Sequence, residues 1–132
     1  MTVLLDTHAF LWMIVDDKRL SKRAREILTS ADNDLLLSVA SLWEMVLKST
    51  AGKLRLQSDP ATFLSAMLAA NQIRTLPISD RHVLWTAGLP ELHRDPFDRV
   101  LVAQAQIERI PILTADPLVR KYAVETIGSG SI

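Results

Sequence analysis

TVLLDTHAF, residues 2–10, decides the fold. TVLLD (2–6) is a short apolar run ending in an acid, Asp6, and from Thr7 the pattern turns helical to about Val15. Such a run fits a strand buried inside a sheet, and the residues after it fit a helix leaving that strand. The same alternation returns along the chain. DLLLS (34–38) reads as a second buried strand, and SVASLWEMVLKSTAGK (38–53) as a helix with Val39, Leu42, Trp43, Val46 and Leu47 on its apolar stripe and Gly52 ending it. Between them Ser21 can cap a helix over KRAREILTSA, with Leu20, Ala24, Ile27 and Leu28 on one face.

Asp59-Pro60 opens another helix to about Gln72, RTLPIS (74–79) is a short strand, and DRHVLWTAGL is a short helix. Asp95-Pro96 opens a helix to about Ile110. PILTA (111–115) is a strand, Asp116-Pro117 starts a short helix to about Tyr122, and VETIG (124–128) is a last strand. Strands alternating with helices predict an α/β domain with a mainly parallel sheet covered on both faces. Ligands of such sheets bind at the carboxyl ends of the strands.

The 132 residues, 48% of them hydrophobic, fit one compact domain spanning 1–132. Fifteen Lys and Arg balance fifteen Asp and Glu, so no overall basic field advertises a nucleic acid, although a local patch can do so on a neutral protein. The absence of cysteine excludes disulfides, thiolate metal sites and cysteine nucleophiles, and fits a reducing cytoplasm. The N-terminal run lacks the basic start and small-residue cleavage site of a signal peptide, and no stretch approaches the roughly 20 apolar residues of a membrane span. A mean hydropathy of +0.17 suggests apolar surface covered by a partner, such as a second copy.

Asp6 is the last residue of the first strand and Asp116 follows the PILTA strand, so both belong to the carboxyl edge of the sheet. Glu44 lies in the helix leaving the second strand, and Asp98 in the first turn of its own helix. Right-handed crossovers return such helix starts to the same edge. Four converging carboxylates repel one another unless a hard cation such as Mg²⁺ or Mn²⁺ joins them. Each acid also has a structural alternative. Asp6 and Asp116 can cap helices, Ser41-Leu-Trp-Glu44 matches a capping box, Glu44 and Lys48 make an i, i+4 pair, and Asp98 suits a helix N-terminus. On placement alone both readings stay open.

His8, His82 and His93 are weaker leads, explained equally by capping or packing. Asp80 follows a strand too, but Ser79 before it is a cap. Trp12, Trp43 and Trp85 read as core or interface residues, and Asp59 as a cap. Lys48, Arg94, Arg99 and Arg120 lie near the acids in sequence and could hold phosphate, with solvated surface as the alternative. No phosphate-cradling glycine pattern is present.

LLDTHAFLW, SLWEMVLKSTAGKL, HRDPFDRVLVAQA and ILTAD, in that order and spacing, resemble the PIN-domain ribonucleases, above all the VapC-type toxins of bacterial type II toxin–antitoxin modules. The resemblance spans nearly the whole chain. It implies a three-layer α/β/α sandwich with a five-stranded sheet in the order 3-2-1-4-5. It also implies a catalytic metal site at Asp6, Glu44, Asp98 and Asp116, with the Thr7 and Thr114 hydroxyls in support. Mg²⁺ or Mn²⁺, RNA cleavage, homodimerisation and inhibition by a cognate antitoxin follow from it as expectations.

Three other classes compete. Phosphoacceptor signalling domains pair acids directly after strand one, where this chain has Asp6-Thr7-His8, and carry a lysine after the last strand, where it has GSGSI. A haloacid-dehalogenase-type phosphatase wants a second aspartate where His8 stands. A non-catalytic α/β binding module would not require the four acids.

Overall fold

The computed structural model describes residues 1–130. Five strands, β1 (Thr2–Leu5), β2 (Asp34–Ser38), β3 (Arg74–Leu76), β4 (Ile112–Thr114) and β5 (Thr126–Gly128), pair in parallel in the order β3-β2-β1-β4-β5. Successive residues of a strand face opposite sides, so the sheet feeds two cores. Val3, Leu5, Leu35 and Leu37 pack with Phe10, Ile27, Met45 and Leu64 on one face. Leu4, Leu36 and Ile112 pack with Leu101, Val102 and Tyr122 on the other. The first face is covered by α1 (Thr7–Ile14), α2 (Lys22–Thr29), α3 (Val39–Thr50) and α4 (Pro60–Ala70). The second is covered by α6 (Pro96–Glu108), against which the short α5 (Asp80–Trp85) packs. This is the expected α/β/α sandwich, with every strand pairing parallel.

The caps read from sequence start their helices. Asp6, Ser21, Asp59 and Asp95 accept the backbone N–H groups of Ala9, Ala24, Thr62 and Phe97. Arg109, in the left-handed conformation at φ 57°, ends α6. Two local expectations fail. Ser38, not Ser41, caps α3, accepting from Ala40 N at 3.0 Å, so Ser41-Leu-Trp-Glu44 is no capping box. Asp116-Pro117 opens no α-helix; the chain makes a turn and then a 3-10 segment, Val119–Lys121, which returns it at once to β5.

The face of α3 is the main correction. Val39, Trp43, Val46 and Leu47 are exposed, Leu42 is half-buried, and the helix buries Ala40, Ser41, Glu44 and Met45 instead. Its inner face carries small residues and one acid because it runs past the carboxyl edge of the sheet, next to Thr7 at the start of α1. Trp43 is 58% exposed and touches Phe97 edge-on, with ring centroids 5.5 Å apart. Trp43→Ala is therefore expected to lower stability by no more than about 1.5 kcal/mol, the range of such an aromatic pair. Denaturant unfolding would return about 3–5 kcal/mol if Trp43 belonged to the core. Among the described residues no helix is long and apolar enough to cross a membrane.

Candidate active site

Strand register builds the site's floor. Leu5 pairs with Leu37 on one side and Leu113 on the other, so the next residues along, Asp6, Ser38 and Thr114, share the carboxyl edge. Asp6 is buried there. One carboxylate oxygen caps α1 through Ala9 N (2.6 Å), and the other accepts from Thr114 Oγ1 (2.5 Å). The cap and the site are thus the same residue, and the two readings of Asp6 do not exclude each other. Burial pushes its carboxyl above the usual range, against the lowering effect of the two hydrogen bonds and of His8, and the Asp116 charge adds to the rise.

Glu44 is also buried. Thr7 Oγ1 donates to its Oε1 at 2.6 Å and lies 3.0 Å from Ser41 Oγ, while Lys48 Nζ pairs with Oε2 at 2.7 Å. Lys48 is thereby held within reach of the charges of Asp95 and Asp98, and its hydrogen bond to Glu44 raises its pKa. The two threonines serve the carboxylates as hydrogen-bond donors, one to each buried acid.

Asp98 and Asp116 meet on a histidine. His93 Nε2 lies 2.9 Å from Asp116 Oδ2 and 3.1 Å from Asp98 Oδ2, and the three residues offer ligand atoms within 4.8 Å of one another. Asp95 starts α6 and Asp98 follows it by one turn, which sets the second carboxylate toward the edge of the sheet. Burial pushes the Asp98 carboxyl up to about 8, and the charges of Asp95, Glu44, Asp6 and Asp116 push in the same direction. Asp98 thus feels the other three sequence-predicted acids, while among the described residues the ligand atoms brought within 4.8 Å of one another are those of Asp98, Asp116 and His93, with Asp6 and Glu44 outside that group. Such a donor set, carboxylate oxygens with too little positive charge among them, fits a hard divalent cation. Zinc's usual thiolates are absent.

A cleft of about 280 Å³ opens beside the acids, lined by Asp6, His8, Trp12, Arg19, Ala115 and Asp116. Arg19, which sequence reading passed over, lies over the Trp12 ring at 4.7 Å. His93, a weaker lead in the sequence, stands between Asp98 and Asp116, and its local signal is the offset of five residues to Asp98 in HRDPFD. Asp80 stays outside the cluster, exposed in the first turn of α5. His82 is buried in a reciprocal cap with Ser79.

Arg99 lines a surface cleft with Glu91, His93 and Arg94 and is also tied to the chain itself. Its guanidinium reaches the carbonyls of Thr86 (2.9 Å), Pro90 (3.0 Å) and Leu89 (3.4 Å) and the Tyr122 hydroxyl (3.3 Å), so it fastens the segment ahead of α6. Arg99→Met should cost about 1.5–3 kcal/mol, the range for hydrogen bonds to a charged group. A stability loss near zero in chemical denaturation, with weakened RNA binding, would leave the phosphate role alone. Arg120 is exposed, with Nη2 3.3 Å from the Thr114 carbonyl, and Lys48 is committed to Glu44.

The sequence profile of the PIN domain matches residues 3–125. The chain belongs to the PIN-domain family. Among characterised proteins, ribonuclease VapC22 of Mycobacterium tuberculosis is 27% identical to this PIN domain over 122 residues, which is 92% of each chain. Among solved structures, VapBC2 from Rickettsia felis, bound to a DNA fragment from its promoter, superposes with a TM-score of 0.73 at 16% identity, covering 96% of this chain and 98% of its own. A toxin–antitoxin complex from Klebsiella pneumoniae gives 0.67 at 16% identity over 98% and 99% of the two chains. At such identities these likenesses establish the fold: the PIN domain shares its architecture with them from end to end.

Proposed function

We propose that this PIN domain is a divalent-cation-dependent endoribonuclease, the toxin of a toxin–antitoxin pair. The observation that carries the reading is the convergence of Asp98 and Asp116 on His93 at the carboxyl edge of the sheet, beside the buried Asp6 and Glu44. A fold stabilised only by capping has no use for that convergence. The similarity to ribonuclease VapC22 and to chains of VapBC complexes supports RNA as substrate and an antitoxin as partner.

Asp6, Glu44, Asp98 and Asp116 would hold Mg²⁺ or Mn²⁺. When bound, the cation neutralises a phosphodiester and lowers the pKa of water at the scissile phosphorus. Thr114 and Thr7 fix the buried carboxylates by hydrogen bonds, so their oxygens need no reorganisation on loading. Lys48 pairs with Glu44 and brings a positive charge near incoming phosphate. Water as nucleophile breaks the P–O3′ bond and leaves a 5′-phosphate and a 3′-hydroxyl. Single-stranded or loop RNA suits a narrow cleft, because its backbone can bend into it.

An apolar groove of about 490 Å³, lined by Leu11, Ile14, Val15, Leu54, Leu56 and Phe63, supports the antitoxin expectation. Trp12 and Arg19 line both this groove and the acidic cleft, so a peptide seated in the groove would end at the acids. The exposed Trp43 and Leu47 on α3, with Val83, Leu84 and Trp85 on α5, support burial against a second copy. Action in the cytoplasm, within a single domain over 1–132, completes the reading. Sequencing RNA ends after brief expression tests it. Ends bearing 5′-phosphate are expected, and 2′,3′-cyclic phosphate ends would rule out water as the nucleophile.

A further inference from the structure

His93 presents two ring nitrogens with different partners. Nδ1 accepts the backbone N–H of Asp95 at 3.1 Å, and Nε2 faces the carboxylates of Asp116 and Asp98 at 2.9 and 3.1 Å. A ring nitrogen that accepts an N–H carries a lone pair and no proton, so the neutral ring bears its hydrogen on Nε2. His93 therefore points a donor at the two acids, where a metal ligand would point a lone pair. The ring is fastened in this sense from behind. The His93 backbone N–H donates to the Tyr122 hydroxyl at 2.9 Å, Tyr122 is buried, and Arg99 reaches the same hydroxyl at 3.3 Å. Asp95 contributes twice, its N–H fixing the ring and its side chain capping α6 one turn before Asp98.

We propose that His93 is a positioning residue for the cation: its Nε2–H draws the Asp98 and Asp116 carboxylates together and holds them ready from outside the ligand sphere. The proposal rests on the cation-dependent reading above. It explains how two acids from distant parts of the chain, one on α6 and one after β4, stay within coordinating reach of each other before any cation arrives. The Leu118 N–H holds the other Asp116 oxygen at 2.8 Å, so without the imidazole it is the part-buried Asp98 that would turn away from its partner. An imidazole acting as a ligand would instead have to give up the Asp95 N–H bond and move its proton to Nδ1.

Two measurements on the full chain decide it. Long-range ¹H–¹⁵N spectra of the histidine side chains should show His93 protonated on Nε2 and bare on Nδ1, both without cation and with saturating Mg²⁺. A ring protonated on Nδ1 in either state would overturn the proposal. Calorimetric titration with MgCl₂ and MnCl₂ should find both affinities lowered about 10–100-fold in His93→Ala, the usual cost of removing an outer partner of a ligand. Both cations should lose equally, and His93→Gln, whose amide also donates, should recover part of the loss. Affinities unchanged in His93→Ala, or a loss confined to Mn²⁺, which accepts imidazole better than Mg²⁺ does, would defeat the positioning role while leaving the cation reading intact. Absence of binding in the wild-type chain would defeat the cation reading itself, and this proposal with it.

Discussion

Asp98→Asn is expected to lower RNA cleavage about a thousandfold, roughly 4 kcal/mol of transition-state stabilisation, and to leave the cation-free fold intact or more stable. Asp98 is part-buried in the first turn of α6, with its carboxyl held up to about 8 by burial and by four neighbouring acids. At neutral pH without cation it is therefore largely protonated, and asparagine copies the neutral acid in shape. The amide oxygen can still accept from His93 Nε2. What asparagine cannot supply is the negative charge that a divalent cation requires. Melting curves of both proteins, with and without Mg²⁺, run beside a cleavage assay, separate the two roles of this residue. If Asp98 served only its helix, the substitution would cost a few tenths to about 1 kcal/mol and spare activity.

The second large effect is on stability against pH. The folded chain keeps a proton on Asp98 up to about pH 8, whereas the unfolded chain releases it near 3.8. Between those values the folded state binds more protons than the unfolded state, so raising the pH lowers stability. Each pH unit of the window is worth about 1.4 kcal/mol for one fully differential proton, giving a total on the order of a few kcal/mol. Asp6, also raised by burial, adds in the same sense. Lys48 acts only near its own high pKa, beyond this window, and Asp17, lowered to about 2 by Arg19, acts only in acid. Saturating cation should cancel the decline, because loading requires the ionised carboxylates and releases their protons. At a cation concentration of about 100 Kd the stabilisation is about 2.7 kcal/mol. It should be reached at lower total Mg²⁺ at pH 8 than at pH 6. Cation-free melting temperatures that stay level from pH 5 to pH 8 would contradict the repulsion around Asp98.

Much of the fold was legible because its signals are local. Ser21, Asp59 and Asp95 cap where their neighbours predict, and DLLLS and the run before Asp6 are strands because nothing polar interrupts them. The acids could be placed on one edge because parallel strands share a carboxyl end. The face of α3 could not be read this way. Val39, Trp43, Val46 and Leu47 repeat at helical spacing whether the stripe meets the sheet or a partner, and here the sheet takes Ala40, Ser41, Glu44 and Met45. The structural part of Arg99 is hidden for a related reason. A guanidinium near acids in sequence suggests phosphate, and nothing local signals that it also binds three carbonyls of the 86–90 segment. His93 depends on where its ring turns, and that is set by Asp95 N–H and Tyr122, one of them 29 residues away.

The central claim is that the acid cluster cleaves RNA with a divalent cation. Purified chain incubated with single-stranded RNA, in chelator and then with Mg²⁺ or Mn²⁺ restored, tests it most directly. Cleavage that appears only with the cation, and is lost in Asp98→Asn, is the predicted result. Cleavage that persists in chelator, or survives in Asp98→Asn at the wild-type rate, would contradict it.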